Sequence, residues 1–362
     1  MSISNHLNKI KNAVFGKDVR GAIHDAIKQC YDDASINHDN ANMEVKLARG
    51  THDTLNDRLN NSDQKLTETN AQLSQIQNEK VNIKTFGAKG DGITDDTQSL
   101  LDALGFLKNK GGLIYFPKGI YLINRPITIT SGITITGETR DTCLKANSNS
   151  FRFIVNGDNV TINHLTLDGN AQRFAVNKLI DTDYENKTHI KNLLIDNCNV
   201  GNVSGSWVHG ISLSYTTNAV ISNNTFDGFN CIPNKITGDL DGSARAINVG
   251  TDNRGYNITN NIFKGMVDEE DSDFIHVIGE KVESNDFPFI GGEYKSCSGV
   301  IKSNSFYGFM KSAIKVQSKD VVIDGNLIDM RGFDGKKPYA SIRVQNSENC
   351  TVMNNTTILD AT

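Results

Sequence analysis

The sequence is poor in the residues that interrupt regular structure and in the patterns that mark membrane proteins. Only 5 of its 362 residues are proline and only 1 is tryptophan, so long proline-rich linkers are excluded. No run of about 18 apolar residues is present that could span a bilayer. The first ten residues, "MSISNHLNKI", lack the apolar core of a secretory signal. We therefore expect no membrane association.

An excess of positive charge is also missing. The chain has 37 lysines and arginines against 42 acidic residues, a net charge of −5. Nucleic-acid-binding proteins normally carry a basic patch, so we expect no nucleic-acid partner. Cys-x-x-Cys pairs are absent too, which favours reduced thiols in the core over a disulfide framework or a zinc site. We expect neither a metal nor a cofactor. The six scattered cysteines are Cys30, Cys143, Cys198, Cys231, Cys297 and Cys350.

The length predicts two or more structural units, and the residue pattern changes near residue 81. Residues 1–80 contain no proline. The stretch "NKIKNAVFGKDVRGAIHDAIKQCYDDA" has apolar residues at helical spacing around a break at Gly16. We interpret residues 1–40 as one helical segment and residues 41–80 as another.

The second helical segment carries a heptad pattern. Its apolar residues recur in alternating steps of three and four over about four heptads, as in a coiled coil. They are Ala48, Leu55, Leu59, Leu66, Leu73 and Ile76, with the polar residues His52, Ser62 and Thr69 filling the same seam. A long solvated helix is the alternative. The sharper hypothesis is a coiled-coil stem that associates as a homotrimer.

From residue 81 onward, short strand-like phrases rich in asparagine repeat along the chain. Examples are "VTINHLTLDG", "AVISNNTFDGF" and "YNITNNIFKGM". Each phrase has an aliphatic anchor, two small or polar residues around asparagine, and another apolar residue. The anchors are Ile162, Ile195, Ile221, Ile258, Ile301, Ile323 and Val352. One such unit cannot bury its apolar residues alone, whereas stacked units form a continuous core.

The shortest interval between anchors, from Ile301 to Ile323, is 22 residues. We interpret it as one coil of a parallel β-helix spanning residues 127–362. Asparagine suits the corners of such coils because it tolerates left-handed backbone conformations. Hairpin turn signals, which a β-sandwich would need, are scarce. The predicted fold class is all-β.

The stretch "GDGITDDTQSLLDALGFLKNKGG" is predicted to start this fold rather than to carry chemistry. We expect an N-cap at Thr94 or Asp95, a helix over 95–110 and a C-terminal cap at Gly111. Residues 81–126 would then form a unit that covers the open end of the β-helix. On this interpretation the acidic residues Asp91, Asp95 and Asp96 are turn and capping residues.

Two stretches carry a resemblance to known families. "FGAKGDGITDDTQSLLDAL", followed by "GGLIYFPKGIYLI", resembles the opening signature of the pectate-lyase-like superfamily, and the resemblance covers about residues 82–360. "AVFGKDVRGAIHDAIKQ" resembles the N-terminal attachment segment of tail-fibre and baseplate proteins from phages of Gram-positive bacteria. The heptads behind it are similar to the trimeric stems of phage tailspikes.

These resemblances imply a right-handed, single-stranded parallel β-helix in a homotrimeric phage tailspike. They also imply a virion protein, made in the host cytoplasm and attached to baseplate or tail proteins through residues 1–40. Its partner would be a bacterial surface glycopolymer, such as teichoic acid or capsular polysaccharide, which it binds and often depolymerises. The chain lacks the "NTDG…DD…GHG" run of polygalacturonases and the Arg-x-x-Arg pair of pectate lyases, so pectin activity is not implied.

Aligning the phrases predicts two columns of outward side chains. One reads Asp181, Ser212, Asn248, His276, Lys315 and Arg343, and beside it lie His209, Arg245 and Asp273. Stacked coils are about 4.8 Å apart. Carboxylates one coil apart would suit a retaining glycosidase, at about 5–5.5 Å, and two coils apart an inverting one, at about 6.5–9.5 Å.

The longest insertions follow Ile162, Ile221 and Ile258, and insertions on a solenoid often form the walls of a groove. We predict Asp239, Asp241 and Asp273 as catalytic. One carboxylate would act as a general acid with a raised pKa, and another would activate water or attack the substrate. The predicted substrate-binding residues are Arg245, His276, Asp181, His209 and Trp207, with Arg245 holding a phosphate or carboxylate.

Each assignment has an alternative. Asp239 and Asp241 suit loop turns, and "VDEEDSD" suits a solvated loop or a calcium site. His276 suits a corner position, and Trp207 suits core packing. For the whole protein, the alternatives to a hydrolase are a non-catalytic adhesin or structural fibre and a polysaccharide lyase. Because the chain stops directly after a repeat, we expect continuation beyond Thr362 or coverage by another subunit.

Overall fold

The computed structural model describes residues 5, 8–9, 16–182, 185–231, 242–267, 272–279, 298–308, 311–331 and 340–359. The chain divides into two units, residues 1–75 and residues 76–362. In the described ranges, no helix is long and apolar enough to cross a membrane. The five cysteines among them, which include the buried Cys198 and Cys231, carry free thiols.

The N-terminal unit is helical. Helix α1 spans Gly16–Arg49 and helix α2 spans Leu55–Glu79. Gly50 between them has a φ of 62°, a left-handed conformation that ends α1 and that glycine adopts without strain. The predicted heptad seam is therefore interrupted after Ala48. Within α2 the side chains of Leu55, Leu59 and Leu66 are exposed, Leu59 by 62%. The coiled coil and the trimer remain predictions.

The second unit consists mainly of short strands. The strands of its first coils are β1 (Lys80–Asn82), β2 (Asp91–Asp95), β3 (Gly112–Phe116), β4 (Ile120–Ile123), β5 (Ile127–Ile129), β6 (Ile133–Gly137), β7 (Cys143–Ala146), β8 (Phe153–Val155), β9 (Thr161–Asn163) and β10 (Thr166–Asp168). The middle coils contain β11 (Lys178–Thr182), β12 (Ile190–Lys191), β13 (Leu194–Asp196), β14 (Asn199–Gly205), β15 (Trp207–Leu213), β16 (Thr216–Thr217), β17 (Val220–Ser222), β18 (Thr225–Cys231) and β19 (Ser243–Val249). The last coils contain β20 (Asn257–Thr259), β21 (Ile262–Phe263), β22 (Met266–Val267), β23 (Asp273–Ile278), β24 (Val300–Lys302), β25 (Ser305–Tyr307), β26 (Ser312–Gln317), β27 (Val322–Asp324), β28 (Leu327–Asp329), β29 (Ile342–Val344), β30 (Thr351–Met353) and β31 (Thr356–Ile358).

These strands form three long sheets whose pairings are all parallel. Sheet A has the order β1-β3-β6-β9-β13-β17-β20-β24-β27-β30, and sheet B has the order β2-β4-β7-β10-β14-β18-β21-β25-β28-β31, with β22 on β18. Sheet C has the order β5-β8-β11-β15-β19-β23-β26-β29, and β12 pairs with β16. Because each coil contributes one strand to each long sheet, the chain winds as a parallel β-helix. This confirms the predicted coiling.

The core is a column of stacked side chains inside the coils. Each predicted anchor lies opposite the next one in sheet A, from Ile162 to Val352. In sheet B the rings of Phe226, Phe263 and Phe306 stack with centroids 4.8 and 4.7 Å apart. Identical residues stacked at the coil spacing bury apolar area that one coil could not bury alone.

A ladder of asparagines fills the corner between sheets A and B. Each side-chain amide donates to the side-chain oxygen of the next asparagine at 2.8–3.0 Å, and to a backbone carbonyl. The members are Asn224, Asn261, Asn304, Asn326 and Asn355. The residues before Asn224, Asn261 and Asn355 are also asparagines, with φ of 57°, 57° and 54°. This confirms that asparagine forms the corners.

Helix α3 spans Thr97–Leu107, so it begins two residues later and ends three residues earlier than the predicted 95–110, and its C-cap is Lys108 rather than Gly111. Its N-cap is Asp96, not Thr94 or Asp95. The carboxylate of Asp96 instead accepts bonds from the backbone amides of Lys89, at 2.6 Å, and Gly90, at 3.1 Å. These bonds stabilise the turn that precedes the helix, so Asp96 has a structural role here.

Candidate functional site

Two columns of polar side chains run along the outer face of sheet C. The first follows the predicted order Asp181, Ser212, Asn248, His276, Lys315 and Arg343, each opposite the next. The second runs Lys178, His209, Arg245, Asp273 and Ser312. These pairings confirm the sequence alignment. Nearly all of these side chains are buried, which is unusual for charged groups.

Two inward residues separate the columns in each strand, and they explain why the columns converge. In β23 these are Phe274 and Ile275, both fully buried in the core. Three residues of flat strand would span about 10 Å. Yet Oδ2 of Asp273 lies 3.9 Å from Nδ1 of His276. Because both side chains are short, the strand must bend so that its outer face is concave at this point.

Asp273 is the carboxylate at the centre of the deepest cluster. It is completely buried, and its Oδ2 lies 4.0 Å from Nζ of Lys315 on the next coil. Nε2 of His276 lies 2.9 Å from the side-chain oxygen of Gln317. Burial, Arg245 and Lys315 lower the pKa of His276 well below its ordinary value of 6.5. His276 is therefore a neutral imidazole at pH 7.

Arg245 connects this cluster to the single tryptophan. Its Nη1 donates to Oδ1 of Asn248 at 2.9 Å. Its guanidinium carbon lies 6.0 Å from the ring centroid of Trp207, within reach of a cation–π contact. The side chain of Trp207 is 46% exposed, so core packing does not account for it.

At the other end of the columns, Asp181 is held by two cations. Nζ of Lys178 lies 3.1 Å from Oδ2 of Asp181, and Nη1 of Arg152 lies 3.9 Å from the same atom. Burial raises the pKa of Asp181 above its ordinary value of 3.8, although Lys178 and Arg152 act in the opposite direction. A small cavity of about 120 Å³ lies beside Arg152 and Asp181.

His209 is the second of the five residues in the second column, between Lys178 and Arg245. Burial and these two cations lower its pKa well below 6.5. Within the described residues, neither of its ring nitrogens has a hydrogen-bond partner. It lines an open cavity of about 210 Å³ with Lys178, Ser212 and Asn248. A second cavity, of about 390 Å³, shares Lys178 and extends to Trp207.

The described carboxylates do not form a catalytic pair by themselves. Asp181 and Asp273 are three coils apart in sheet C, which is about 14 Å and exceeds the separation of about 9.5 Å in inverting glycosidases. Asp239 and Asp241 lie outside the described residues. A second carboxylate near Asp273 would have to come from such a segment.

Sequence reasoning missed three members of the site. Gln317 follows Lys315 by two positions and so faces the same side of β26, a signal that alternation could have given. Lys178 precedes Asp181 by three positions, the same spacing that separates His209 from Ser212, so extending the second column by one coil could have identified it. Arg152 contacts Asp181 although it lies outside both columns. No group of three metal-binding side chains is found in the described ranges. The alternative calcium loop includes residues 268–271, which lie outside them.

Comparison with known proteins places this site in a family context. The family model described as rhamnogalacturonase A/epimerase, pectate lyase-like, matches residues 80–274. The pre-neck appendage protein of Bacillus phage B103 is 31% identical over 117 residues, which are 30% of this chain and 13% of that protein. The SPbeta prophage-derived protein YomE of Bacillus subtilis is 29% identical over 224 residues, 57% of this chain and 31% of that protein. The chain thus spans less than a third of either relative.

A solved structure supports the same fold. The family 28 exopolygalacturonase of Yersinia enterocolitica aligns with a TM-score of 0.56 and 14% identity, covering 77% of this chain and 59% of that one. At this identity the match concerns the fold alone. The family match begins at β1 and ends within β23, so it includes three of the six strands that carry the two columns and the first two residues of a fourth. The chain belongs to the rhamnogalacturonase A/epimerase family of pectate-lyase-like proteins.

Proposed function

We propose that this protein is a phage tail appendage that binds a bacterial surface glycopolymer along sheet C and depolymerises it by acid–base hydrolysis. The single observation that carries the proposal is the buried double column of charged side chains on one outward face. Burying ionisable groups costs free energy that a purely structural surface has no reason to expend. Buried charges in a concave region are typical of a site that acts on a ligand.

In this proposal Asp273 supplies one of two catalytic carboxylates. Its position is fixed by burial and by His276 and Lys315 on either side. Asp239 or Asp241 supplies the other, from the insertion before β19. One carboxylate protonates the leaving oxygen and the other activates water. The first proton stays on the hydroxyl group that leaves, and the second passes from water to the other carboxylate. Exchange with solvent then returns both carboxylates to their starting protonation states, so hydrolysis consumes only water and needs no cofactor.

The remaining predicted residues bind the polymer. Arg245 and Lys315 attract negatively charged groups, and the exposed ring of Trp207 stacks on a sugar. His276, His209 and Asp181 offer hydrogen bonds to hydroxyl groups. Candidate polymers are teichoic acid and capsular or exopolysaccharide, since the phage relative is an appendage protein of a Bacillus phage.

The virion role rests on the N-terminal unit and on the relatives. We propose that residues 1–40 bind baseplate or tail proteins and that the exposed leucines of α2, such as Leu59 and Leu66, associate in a homotrimer. Burying an apolar seam of this kind is the usual driving force for helix association. Analytical ultracentrifugation of the whole chain tests it. A stable monomer at micromolar concentration would contradict the trimer.

Incubation with polymer tests the enzymatic role. The whole chain should release low-mass fragments from wall teichoic acid or capsular polysaccharide of Bacillus cells, detected by size-exclusion chromatography and reducing-end assays. Polymer that is retained by the protein but never shortened would leave only the adhesin alternative.

One observation favours a lyase as the second candidate. His209 and His276 are both buried and neutral at pH 7, and each lies near a cation. A neutral base beside a cation is what β-elimination from an acidic sugar requires. Elimination leaves an unsaturated sugar that absorbs in the ultraviolet, whereas hydrolysis leaves none. Absorbance of the released fragments therefore separates the two reactions.

A further inference from the structure

Trp207 and His209 project from the same face of one strand. They are two positions apart in β15, and their pairings with Ser243 and Arg245 on β19 are regular. Alternate residues of a strand share a face and lie about 6.6 Å apart. This is close to the length of one sugar ring. A ring stacked on Trp207 would therefore place a substituent of the same sugar, or its neighbour, over His209.

The surroundings of the two side chains differ in a complementary way. Trp207 offers a half-exposed aromatic face in a cavity of about 390 Å³. His209 is 8% exposed and lines the adjoining cavity of about 210 Å³. Lys178 lines both cavities. The described structure thus has a wide compartment, which holds the aromatic side chains of Phe151 and Trp207, next to a smaller one that holds His209.

The ring of His209 has hydrogen-bonding capacity that the described part of the chain does not use. Its ring nitrogens have no partner within the described part of the chain, and a buried polar group without one costs about 1–3 kcal/mol. Ser212, Ser214, Asn248 and Thr251 line the same cavity. They are small and neutral, so they leave space for a group that contacts His209 directly.

The charges around His209 are predominantly positive. Lys178 lies opposite it on the preceding strand and Arg245 on the following one. Among the described residues, the buried or partly buried charges of the two columns and of Arg152 are five cations and two carboxylates. They are Arg152, Lys178, Arg245, Lys315 and Arg343, against Asp181 and Asp273. An anionic group over His209 would offset the excess and reverse part of the pKa lowering that the two neighbouring cations cause.

We propose that these two compartments form a paired subsite, in which Trp207 stacks on a sugar ring and an anionic substituent of that unit binds over His209 between Lys178 and Arg245. The inference rests on the proposed glycopolymer binding and names its substrate class, an acidic glycopolymer. A carboxylate and a phosphate share the required chemistry, and both suit the donors of an arginine and a lysine.

The single tryptophan makes this subsite directly observable, because Trp207 is the only source of tryptophan fluorescence in the chain. The whole protein is titrated separately with glucose, glucuronate and glucose 6-phosphate, up to about 50 mM each. We expect at least one charged sugar to change the emission at a concentration about tenfold or more below that needed with glucose. The comparison of glucuronate with glucose 6-phosphate distinguishes a carboxylate from a phosphate ligand. Equal responses to all three sugars, or no response to either charged sugar, would overturn the inference.

Substitutions test which residue causes the preference for charged sugars. Lys178→Met should remove most of the preference for the charged sugar, and Lys178→Arg should restore it. Lys264→Met is the matched control, since it removes the same charge from sheet B, where Lys264 pairs with Asp227, and should leave the preference unchanged. A preference that survives in Lys178→Met would contradict the assignment. If that variant does not fold, the ratio measured for the unchanged protein still decides the question.

The outcome is separable from that of the proposed function. Polymer cleavage without any preference for charged sugars would remove the subsite and leave the depolymerase. A clear preference for charged sugars without retention or cleavage of any polymer would support the subsite and contradict the depolymerase activity.

Discussion

The imidazole of His276 donates from Nε2 to the side-chain oxygen of Gln317, 2.9 Å away on the next coil, and both side chains are buried. An amide oxygen only accepts hydrogen bonds, so this contact fixes the proton on Nε2. The lone pair of Nδ1 is then directed toward the side where Asp273 lies, 3.9 Å away. Gln317 is therefore a positioning residue for His276, because it sets the ring orientation and determines which ring nitrogen faces Asp273.

Replacing Gln317 tests this role. Gln317→Leu should lower kcat for polymer cleavage about tenfold with little change in KM, because partners of this kind orient a functional group without touching substrate. Gln317→Glu keeps the acceptor but adds negative charge, which raises the pKa of His276. The acid limb of its pH–rate profile should then move to higher pH. Equal losses and unshifted profiles in both variants would indicate a merely structural residue.

Asp273→Asn should abolish cleavage and preserve binding. Losing a proton-transfer group typically costs about 10²–10⁴-fold in rate, whereas the asparagine retains the shape of the side chain. Fragment release and polymer retention are measured on the same sample. Asp141→Asn, at a largely exposed residue paired with Lys118, is the control and should cleave normally. If the Asp273→Asn protein still cleaves the polymer, Asp273 is not a catalytic carboxylate.

The asparagine ladder should be sensitive to a single substitution. Asn261→Ala removes the acceptor for the backbone and side-chain amides of Asn224 and the donor to Ile221. Buried groups left unsatisfied cost about 1–3 kcal/mol each, so we expect a loss of about 2–4 kcal/mol in the free energy of unfolding in urea. Asn257→Ala is the control in the same coil, because the side chain of Asn257 makes only a long hydrogen bond, of 3.4 Å, to the backbone carbonyl of Gly255. It should cost less than about 1 kcal/mol. Similar losses in the two variants would argue against the ladder as a stabilising unit.

Stability should fall on acidification below pH 6.5. The pKa values of His209 and His276 lie well below 6.5 in the folded chain, so the unfolded chain binds protons first as the pH decreases. Each histidine then contributes a slope of up to about 1.4 kcal/mol per pH unit, with stability rising toward neutral pH and levelling above 6.5.

Urea unfolding at pH 7 and pH 5 measures that slope. His209→Gln should reduce the slope of stability against pH by the contribution of one histidine, and the contribution of His276 should remain. A variant whose slope equals that of the unchanged protein would show that His209 is not buried and neutral in solution.

The stacking of the coils could be predicted from sequence, whereas the burial of the site residues could not. The 22-residue step from Ile301 to Ile323 and the outward column from Asp181 to Arg343 follow from periodicity, because in-register parallel stacking repeats the same positions. The burial of Asp273 and the contact between His276 and Gln317 depend on a bend and on side-chain conformations, which periodicity does not encode. The sequence also predicts that Gly50 loosens the start of the heptad seam, and its left-handed backbone conformation ends α1 at that point.

The in-register stacking of sheet C makes the surface modular along its length. Trp207 and Lys315 stand on strands three steps apart, and each step is about 4.8 Å. Gain or loss of a single coil between them would lengthen or shorten this separation by one fixed increment and leave every inward contact type unchanged. If the proposed function holds, proteins of this type match polymers of different repeat length by whole-coil duplication or deletion.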